Sequence, residues 1–230
     1  MPLSTPPITN TWREFIAFVR RPQLIQPSGV LTPGGPGVLS AMVLFEVAGV
    51  SLLAPLMALW QKLTGLSGPD AFSQFPRQYL VLAVVLVAPV LEELIFRGWL
   101  IGKARTLWLL ACTVLGSFGL WLSYGTPPLF TAILFGTLLT AFAGWFVLLA
   151  RGVPAWYERH FSQVFWISVI IFGASHLLNF SQAGLATLPL VLPQIWAGLT
   201  LGFTRLRVGL GGAIIAHAVS NALVVSFAMT

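Results

Sequence analysis

Long apolar segments alternate with short polar loops along most of this sequence. A helix of about 20 apolar residues is long enough to cross the hydrocarbon core of a bilayer. We therefore predict an all-α fold, a polytopic transmembrane bundle of about seven spans that occupies residues 37–230. The predicted spans are Gly37–Trp60, Tyr79–Ile101, Thr106–Tyr124, Leu129–Ala150, Phe161–Phe180, Leu185–Phe203 and Val208–Met229.

Residues 1–36 follow a different pattern, because they hold seven of the sixteen prolines. Within them, Thr11–Arg21 repeats apolar residues at the i, i+3, i+4, i+7 spacing of one helix face. These apolar residues are Trp12, Phe15, Ile16 and Val19. We predict a short amphipathic helix on the membrane surface, within an N-terminal segment that is cytoplasmic or interfacial.

The composition and charge distribution agree with a membrane protein, since 57% of the residues are hydrophobic and 8% are charged. Apart from Arg97, the basic residues lie outside the predicted spans, so the high pI indicates membrane orientation and gives no reason to expect nucleic-acid binding. Seven spans place Lys62 and Arg77 on one side. The other side receives Arg13, Arg20, Arg21, Lys103, Arg105, Arg151, Arg159, Arg205 and Arg207. This bias predicts a multi-pass protein of a bacterial inner (plasma) membrane, with a cytoplasmic N-terminus and the C-terminus on the far side.

Three charged residues interrupt the second predicted span, where each charge costs roughly 2.5–3.5 kcal/mol at mid-membrane. Glu93 and Arg97 have the i, i+4 spacing of a helical ion pair. Glu92 points about 100° away from Glu93 and is left without a local cation. We interpret Glu93–Arg97 as a structural pair and Glu92 as the reactive group. A buried ion network that only holds helices together is the alternative.

Further polar residues within the predicted spans include Glu46, His176, His217 and Asn221. Glu46 could face the polar site, pair with Arg97, or be protonated and hydrogen-bonded. His217 and Asn221 share a helix face. At 1.5 Å per residue from the basic flank, Glu92 and His217 lie roughly 16 and 15 Å deep, whereas His176 lies roughly 24 Å deep.

Three sequence motifs on separate spans resemble those of a known family. They are Glu-Glu-x-x-x-Arg (Glu92, Glu93, Arg97), Phe-x-x-x-His (Phe172, His176) and His-x-x-x-Asn (His217, Asn221). Over roughly Tyr79–Thr230 the chain is similar to the CAAX-protease and bacteriocin-processing family, the ABI-type intramembrane proteases that include the CAAX prenyl endopeptidases.

The resemblance implies a glutamate-dependent endopeptidase with no metal and no other cofactor. Glu92 would be the general base that activates water, with help from His176. His217 and Asn221 would form the oxyanion hole, and Glu93 with Arg97 would support the site. The substrate would be a membrane-anchored peptide or protein within the lipid bilayer.

Two other functions remain open at this point. In a zinc peptidase, Glu92, His176 and His217 would supply three ligands and leave one position for water. In a non-catalytic scaffold or a proton-coupled transporter, the buried glutamate and histidine side chains would hold helices together or relay protons.

Overall fold

The computed structural model describes residues 8–70, 76–182 and 184–228, and every regular element within these ranges is helical. The prediction of an all-α polytopic bundle is therefore confirmed. The α-helices are α1 (Ile8–Arg20), α2 (Gly35–Thr64), α3 (Arg77–Leu82), α4 (Ala88–Arg97), α5 (Ala104–Leu122), α6 (Pro127–Val147), α7 (Ala155–Arg159), α8 (Phe161–Ser175), α9 (Leu192–Val208) and α10 (Leu210–Ala228). A π-helical turn, Ala83–Val87, joins α3 to α4, and 3₁₀ turns cover His176–Asn179 and Leu185–Val191.

Six helical segments in the described ranges are long and apolar enough to cross a membrane. They are Gly35–Thr64, Gln78–Arg97, Ala104–Leu122, Pro127–Val147, Phe161–Asn179 and Leu185–Val208. The last predicted span corresponds to a shorter apolar stretch, Leu210–Ser226. The number and order of apolar helices thus agree with the expected bundle of about seven spans.

The chain forms two compact units. The first comprises Met1–Arg97 with Phe161–Thr230, and the second comprises Gly98–His160. In the first unit α9 is the central helix, because its side chains are buried almost continuously from Gly198 to Val208. It packs against α2, α8 and α10. This unit carries all the candidate site residues named from the sequence.

The close packing of α8 on α9 depends on glycines with the Gly-x-x-x-Gly spacing. A Cβ atom on Gly202 would lie 2.7 Å from the Phe165 ring, and one on Gly198 would lie 3.2 Å from Val169. Small residues at this spacing allow two helix backbones to approach closely. The glycines therefore fix where α8, which leads to His176, lies against α9.

The predicted N-terminal amphipathic helix is present as α1, but the buried face differs from the predicted one. Thr11, Phe15 and Phe18 are buried, whereas Ile16 is 45% exposed. Phe15 and Phe18 both contact the Phe203 ring of α9. The buried face of α1 is the one that contacts aromatic residues of other helices. The sequence of α1 alone gives no information about these contacts.

The second unit contains α5, α6 and α7. Trp108 of α5 donates a hydrogen bond to the Thr140 carbonyl of α6 over 3.0 Å. Tyr157 of α7 is buried, and its hydroxyl donates to the Leu100 carbonyl over 3.0 Å. Neither α5 nor α6 contains an acidic residue, and neither carries a candidate site residue.

Candidate active site

The π-helical turn before Glu92 is explained by Pro89. The Ala88 amide donates to the Ala83 carbonyl, which is the i→i−5 pattern of a π-helix. Continuing that pattern, the residue at 89 would donate to the Val84 carbonyl, but proline has no N–H group. Asn221 of α10 takes this position, and its Nδ2 donates to the Val84 carbonyl over 2.9 Å. The carbonyl that Pro89 leaves without a backbone donor therefore orients Asn221.

Glu93 is the centre of a buried hydrogen-bond network. It is fully buried, and its Oε1 lies 2.7 Å from Nη1 of Arg97, as the i, i+4 spacing predicts. The same oxygen lies 2.9 Å from Nδ1 of His217. Arg205 of α9 donates from Nε to the Arg97 carbonyl over 2.9 Å. Glu93 therefore holds both its predicted arginine and one of the candidate histidines.

Glu92 lies beside both candidate histidines. Its Oε2 is 3.8 Å from Nε2 of His176 and 3.8 Å from Nε2 of His217. These distances are too long for direct hydrogen bonds. A water molecule placed between the three atoms could contact all of them. Glu92 is 27% exposed, so it is more accessible than the fully buried Glu93.

The hydrogen bonds of the two imidazole rings define which nitrogen carries the proton. Nδ1 of His176 lies 2.8 Å from the Phe172 carbonyl, which can only accept, so Nδ1 is the donor. Nδ1 of His217 contacts the carboxylate of Glu93, which also accepts from arginine, so this Nδ1 is again the donor. In neutral rings both Nε2 atoms therefore present lone pairs toward Glu92.

Glu92 and His176 meet although their backbone positions differ in predicted depth. Helical side chains lean toward the N-terminus of their own helix. In the predicted topology α4 and α8 cross the membrane in opposite directions. The Glu92 side chain therefore leans away from the basic flank, whereas that of His176 leans back toward it. The two side chains therefore lie closer in depth than their backbone positions do. A count of residues along each helix ignores this lean.

Phe172 contacts three of the polar side chains at the site. The guanidinium carbon of Arg97 lies 3.8 Å from the centre of its ring. Its ring centroid is 4.8 Å from that of His176 and 6.2 Å from that of His217. Phe172 thus packs against the buried arginine and against both candidate histidines. In the sequence, only the Phe-x-x-x-His motif draws attention to Phe172.

A cavity of about 640 Å³ in the first unit contains the candidate residues. Such a volume is typical of a ligand-binding pocket. Its polar lining includes Glu46, Glu92, His176, His217, Ser220 and Asn221. The structure therefore brings all four proposed catalytic residues to one cavity, whereas Glu93 and Arg97 lie behind it as supporting residues.

Glu46 is the acidic residue whose place the sequence left open. It is 1% exposed and lines the cavity from α2. Neither of its carboxyl oxygens makes a hydrogen bond of standard geometry to a residue that the structure describes. Arg97 pairs with Glu93 and not with Glu46, and Glu46 lines the polar cavity.

A comparison with protein families identifies the chain. The sequence model of the family described as type II CAAX prenyl endopeptidase Rce1-like matches residues 75–157 and 147–223. These stretches cover more than half of the chain and include all three motifs. The chain belongs to this family. No curated protein and no solved structure matches it.

Family membership defines the general class of this Rce1-like protein. It is an integral, multi-pass membrane protein and, in general terms, a CAAX-type intramembrane protease. Its substrate is a membrane-associated peptide or protein in a bilayer.

Proposed function

We propose that this Rce1-like protein is an intramembrane endopeptidase that hydrolyses a membrane-anchored substrate by glutamate-activated water. The observation that carries the proposal is the position of Glu92, whose Oε2 lies 3.8 Å from Nε2 of both His176 and His217 in one cavity. A water molecule among these atoms can donate one hydrogen to the carboxylate and the other to a histidine lone pair.

In the first step Glu92 takes a proton from this water as the water oxygen bonds to the scissile carbonyl carbon. His176 orients the water by accepting its second hydrogen. The carbonyl oxygen becomes an oxyanion. In the second step the carbon–nitrogen bond breaks, and the leaving amine takes the proton back from Glu92. The products are one new carboxyl group and one new amine.

Asn221 and His217 are the proposed donors to the oxyanion. One amide hydrogen of Asn221 is held by the Val84 carbonyl, which leaves the second for the oxyanion. His217 lines the same cavity, and its Nε2 is the second proposed donor, in the form of the ring that carries a proton on Nε2. Each preorganised donor of this kind contributes about 2.7–4 kcal/mol to transition-state stabilisation.

A zinc peptidase is the second candidate, because histidines that bind metals usually donate their other N–H to a carbonyl or a carboxylate. His176 and His217 both do so. Against this, no group of three or more histidine, cysteine, aspartate or glutamate side chains in the described ranges is arranged to hold a metal ion.

The decisive experiment compares wild-type protein with Glu92→Gln. Mass spectrometry of membrane peptides that accumulate in cells with the variant identifies the substrate. Purified wild type in lipid nanodiscs should cleave that peptide and place one ¹⁸O atom from labelled water in the new carboxyl group, whereas Glu92→Gln should not. Full activity with a metal chelator supports the glutamate mechanism, whereas loss that zinc restores supports the metal mechanism. Equal cleavage by both proteins removes Glu92 from the reaction.

The orientation in the membrane is part of the proposal. The nine-to-two distribution of basic loop residues supports a cytoplasmic N-terminus in a bacterial inner membrane. Labelling of single cysteines introduced beside Arg151 and beside Lys62 tests it. In intact cells an impermeant thiol reagent should react only beside Lys62, and the reverse result would invert the topology.

A further inference from the structure

The cavity contains a second acidic group that the proposed reaction does not use. Glu46 of α2 is 1% exposed, and its two carboxyl oxygens have no hydrogen-bond partner. A buried polar group that is left unsatisfied costs about 1–3 kcal/mol, and more when it is charged. A carboxyl group on the cavity wall is therefore available to bind a group that enters the cavity.

All the buried, unpartnered side-chain atoms on the described cavity wall are hydrogen-bond acceptors. They are both oxygens of Glu46, Oε2 of Glu92 and Oε1 of Gln194. No lysine or arginine is among the described lining residues. The nearby Arg97 is bound by Glu93 at 2.7 Å. Arg97 interacts electrostatically with Glu46 but does not line the cavity, so the described cavity wall offers acceptors without a cation of its own.

The shape of the cavity fits an extended chain. Along α2 the lining residues run from Glu46 to Gln61 with helical spacing through Val50 and Ala54. Fifteen residues of helix span about 22 Å, which is enough for about six residues of extended peptide. A substrate that lies along this wall would therefore place side chains near Glu46 when its backbone reaches Glu92.

We propose that Glu46 forms a subsite that binds a positively charged side chain of the substrate, near the bond that is cut. This inference rests on the proposed function and adds a substrate class to it, namely membrane-anchored peptides with a lysine or arginine close to the scissile bond. An ammonium or guanidinium group supplies several donors and a positive charge, and no described residue of the cavity lining carries such a charge. Gln194 adds a neutral acceptor to the same cavity.

The test measures binding, so it does not depend on hydrolysis. The probes are short myristoylated alanine–leucine peptides that carry a single lysine or a single norleucine, scanned along the peptide. Norleucine has nearly the same shape as lysine but lacks the ammonium group. Affinities are measured in nanodiscs with Glu92→Gln protein, and then with Glu92→Gln combined with Glu46→Gln.

At one peptide position, lysine should bind Glu92→Gln protein about 10- to 100-fold more tightly than norleucine, as expected for hydrogen bonds to a charged group. The ratio should fall toward one in the double variant. Glu14→Gln, which removes a surface carboxylate paired with Arg207, should leave the ratio unchanged when combined with Glu92→Gln. Equal binding of both peptides, or a lysine preference that survives Glu46→Gln, overturns the inference.

Two further measurements distinguish a variant that does not fold, an incorrect subsite proposal and an incorrect peptidase proposal. If Glu46→Gln does not fold, Glu46→Asp and Glu46→Asn in the Glu92→Gln background form a second matched pair, and only the aspartate should keep the lysine preference. Loss of the preference in both overturns the charge argument. Wild type that cleaves lysine and norleucine peptides equally removes the subsite and leaves the peptidase proposal intact. Binding with lysine preference but without cleavage supports the subsite and removes the peptidase proposal.

Discussion

Asn221 donates a hydrogen bond from its side-chain amide to the carbonyl oxygen of Val84, over 2.9 Å. This carbonyl is free because Pro89, five residues later, has no amide hydrogen. An irregular turn in one helix thus orients a side chain on another. It also assigns the amide nitrogen of Asn221, because only nitrogen can donate to a carbonyl.

Pro89→Ala should reduce turnover through this contact. An amide at residue 89 allows regular α-helical pairing, in which the Val84 carbonyl accepts from Ala88 and Asn221 loses its acceptor. We expect kcat to fall by up to about 10²-fold, the scale of a small misplacement of a reacting group. The unfolding temperature should stay equal or rise, because proline inside a helix costs about 3 kcal/mol.

Pro55→Ala is the matched control, since Pro55 also lies inside a transmembrane helix but does not line the cavity. It should leave kcat unchanged. Equal kcat values for Pro89→Ala and the wild type would show that the π-helical turn does not position the oxyanion donor. Peptide cleavage and thermal unfolding in detergent measure both effects.

Asn221→Ala should lower kcat by about 10²–10³-fold with little change in KM, because an oxyanion donor acts only in the transition state. Asn221→Asp should be slower than the alanine variant at neutral pH if the new carboxylate is ionised, and should recover at lower pH, where a protonated acid can donate. Turnover of all three proteins across pH measures this. Ser226→Ala on the same helix is the control, and equal activity of wild type and Asn221→Ala would favour a structural polar cluster.

Local geometry explains which parts of the site the sequence predicts. The Glu93–Arg97 contact follows from i, i+4 spacing within one helix, so it needs no knowledge of the fold. The convergence of His176 and His217 on Glu92 requires three helices to meet. It was expected from motifs that occur together in one family, because spacing within a single span says nothing of its neighbours.

The remaining features depend on packing between helices. The face that Glu46 presents is set by the contact of α2 with α9, where the Trp196 indole donates to the Glu46 carbonyl over 3.2 Å. The burial of Phe18 depends on Phe165 and Phe203, which are distant in sequence. Neither contact leaves a periodic signal in the helix concerned, so the sequence did not reveal them.

Glu93→Gln and Glu92→Gln should differ in their effect on stability. Glu93→Gln weakens the buried contacts to Arg97 and His217, and leaving a buried charge unpaired costs about 3–5 kcal/mol. This variant should therefore lose both stability and activity. Glu92→Gln should lose activity and remain as stable as the wild type, because Glu92 makes no direct hydrogen bond to either histidine at 3.8 Å.

Thermal unfolding and peptide cleavage on the same preparations measure this difference. A stable, active Glu92→Gln together with a stable, inactive Glu93→Gln would reverse the assignment of the two carboxylates. Equal loss of stability in both variants would indicate that Glu92 also belongs to the structural network.

Gly202→Leu should destabilise the first unit, because a Cβ atom there would already lie 2.7 Å from the buried Phe165 ring. Overpacking of this kind typically costs about 1–3 kcal/mol. Gly211→Leu is the matched control, since a Cβ atom on Gly211 would point into open space, with no neighbouring side chain within 4 Å. Equal unfolding temperatures for the two variants would show that α8 can move away from α9 without cost.

Phe172→Leu should reduce activity beyond its effect on stability. The substitution removes the ring against which the Arg97 guanidinium lies at 3.8 Å, an interaction worth about 2 kcal/mol when desolvated. It keeps the backbone carbonyl that orients His176. We expect kcat to fall about tenfold or more, because the imidazole rings of His176 and His217 gain freedom of movement. Phe165→Leu is the matched control, since Phe165 lies in the same helix, is 0% exposed and does not line the cavity. This variant should lose comparable stability and keep its kcat. If both variants lose the same fraction of kcat, Phe172 acts only through general packing of α8.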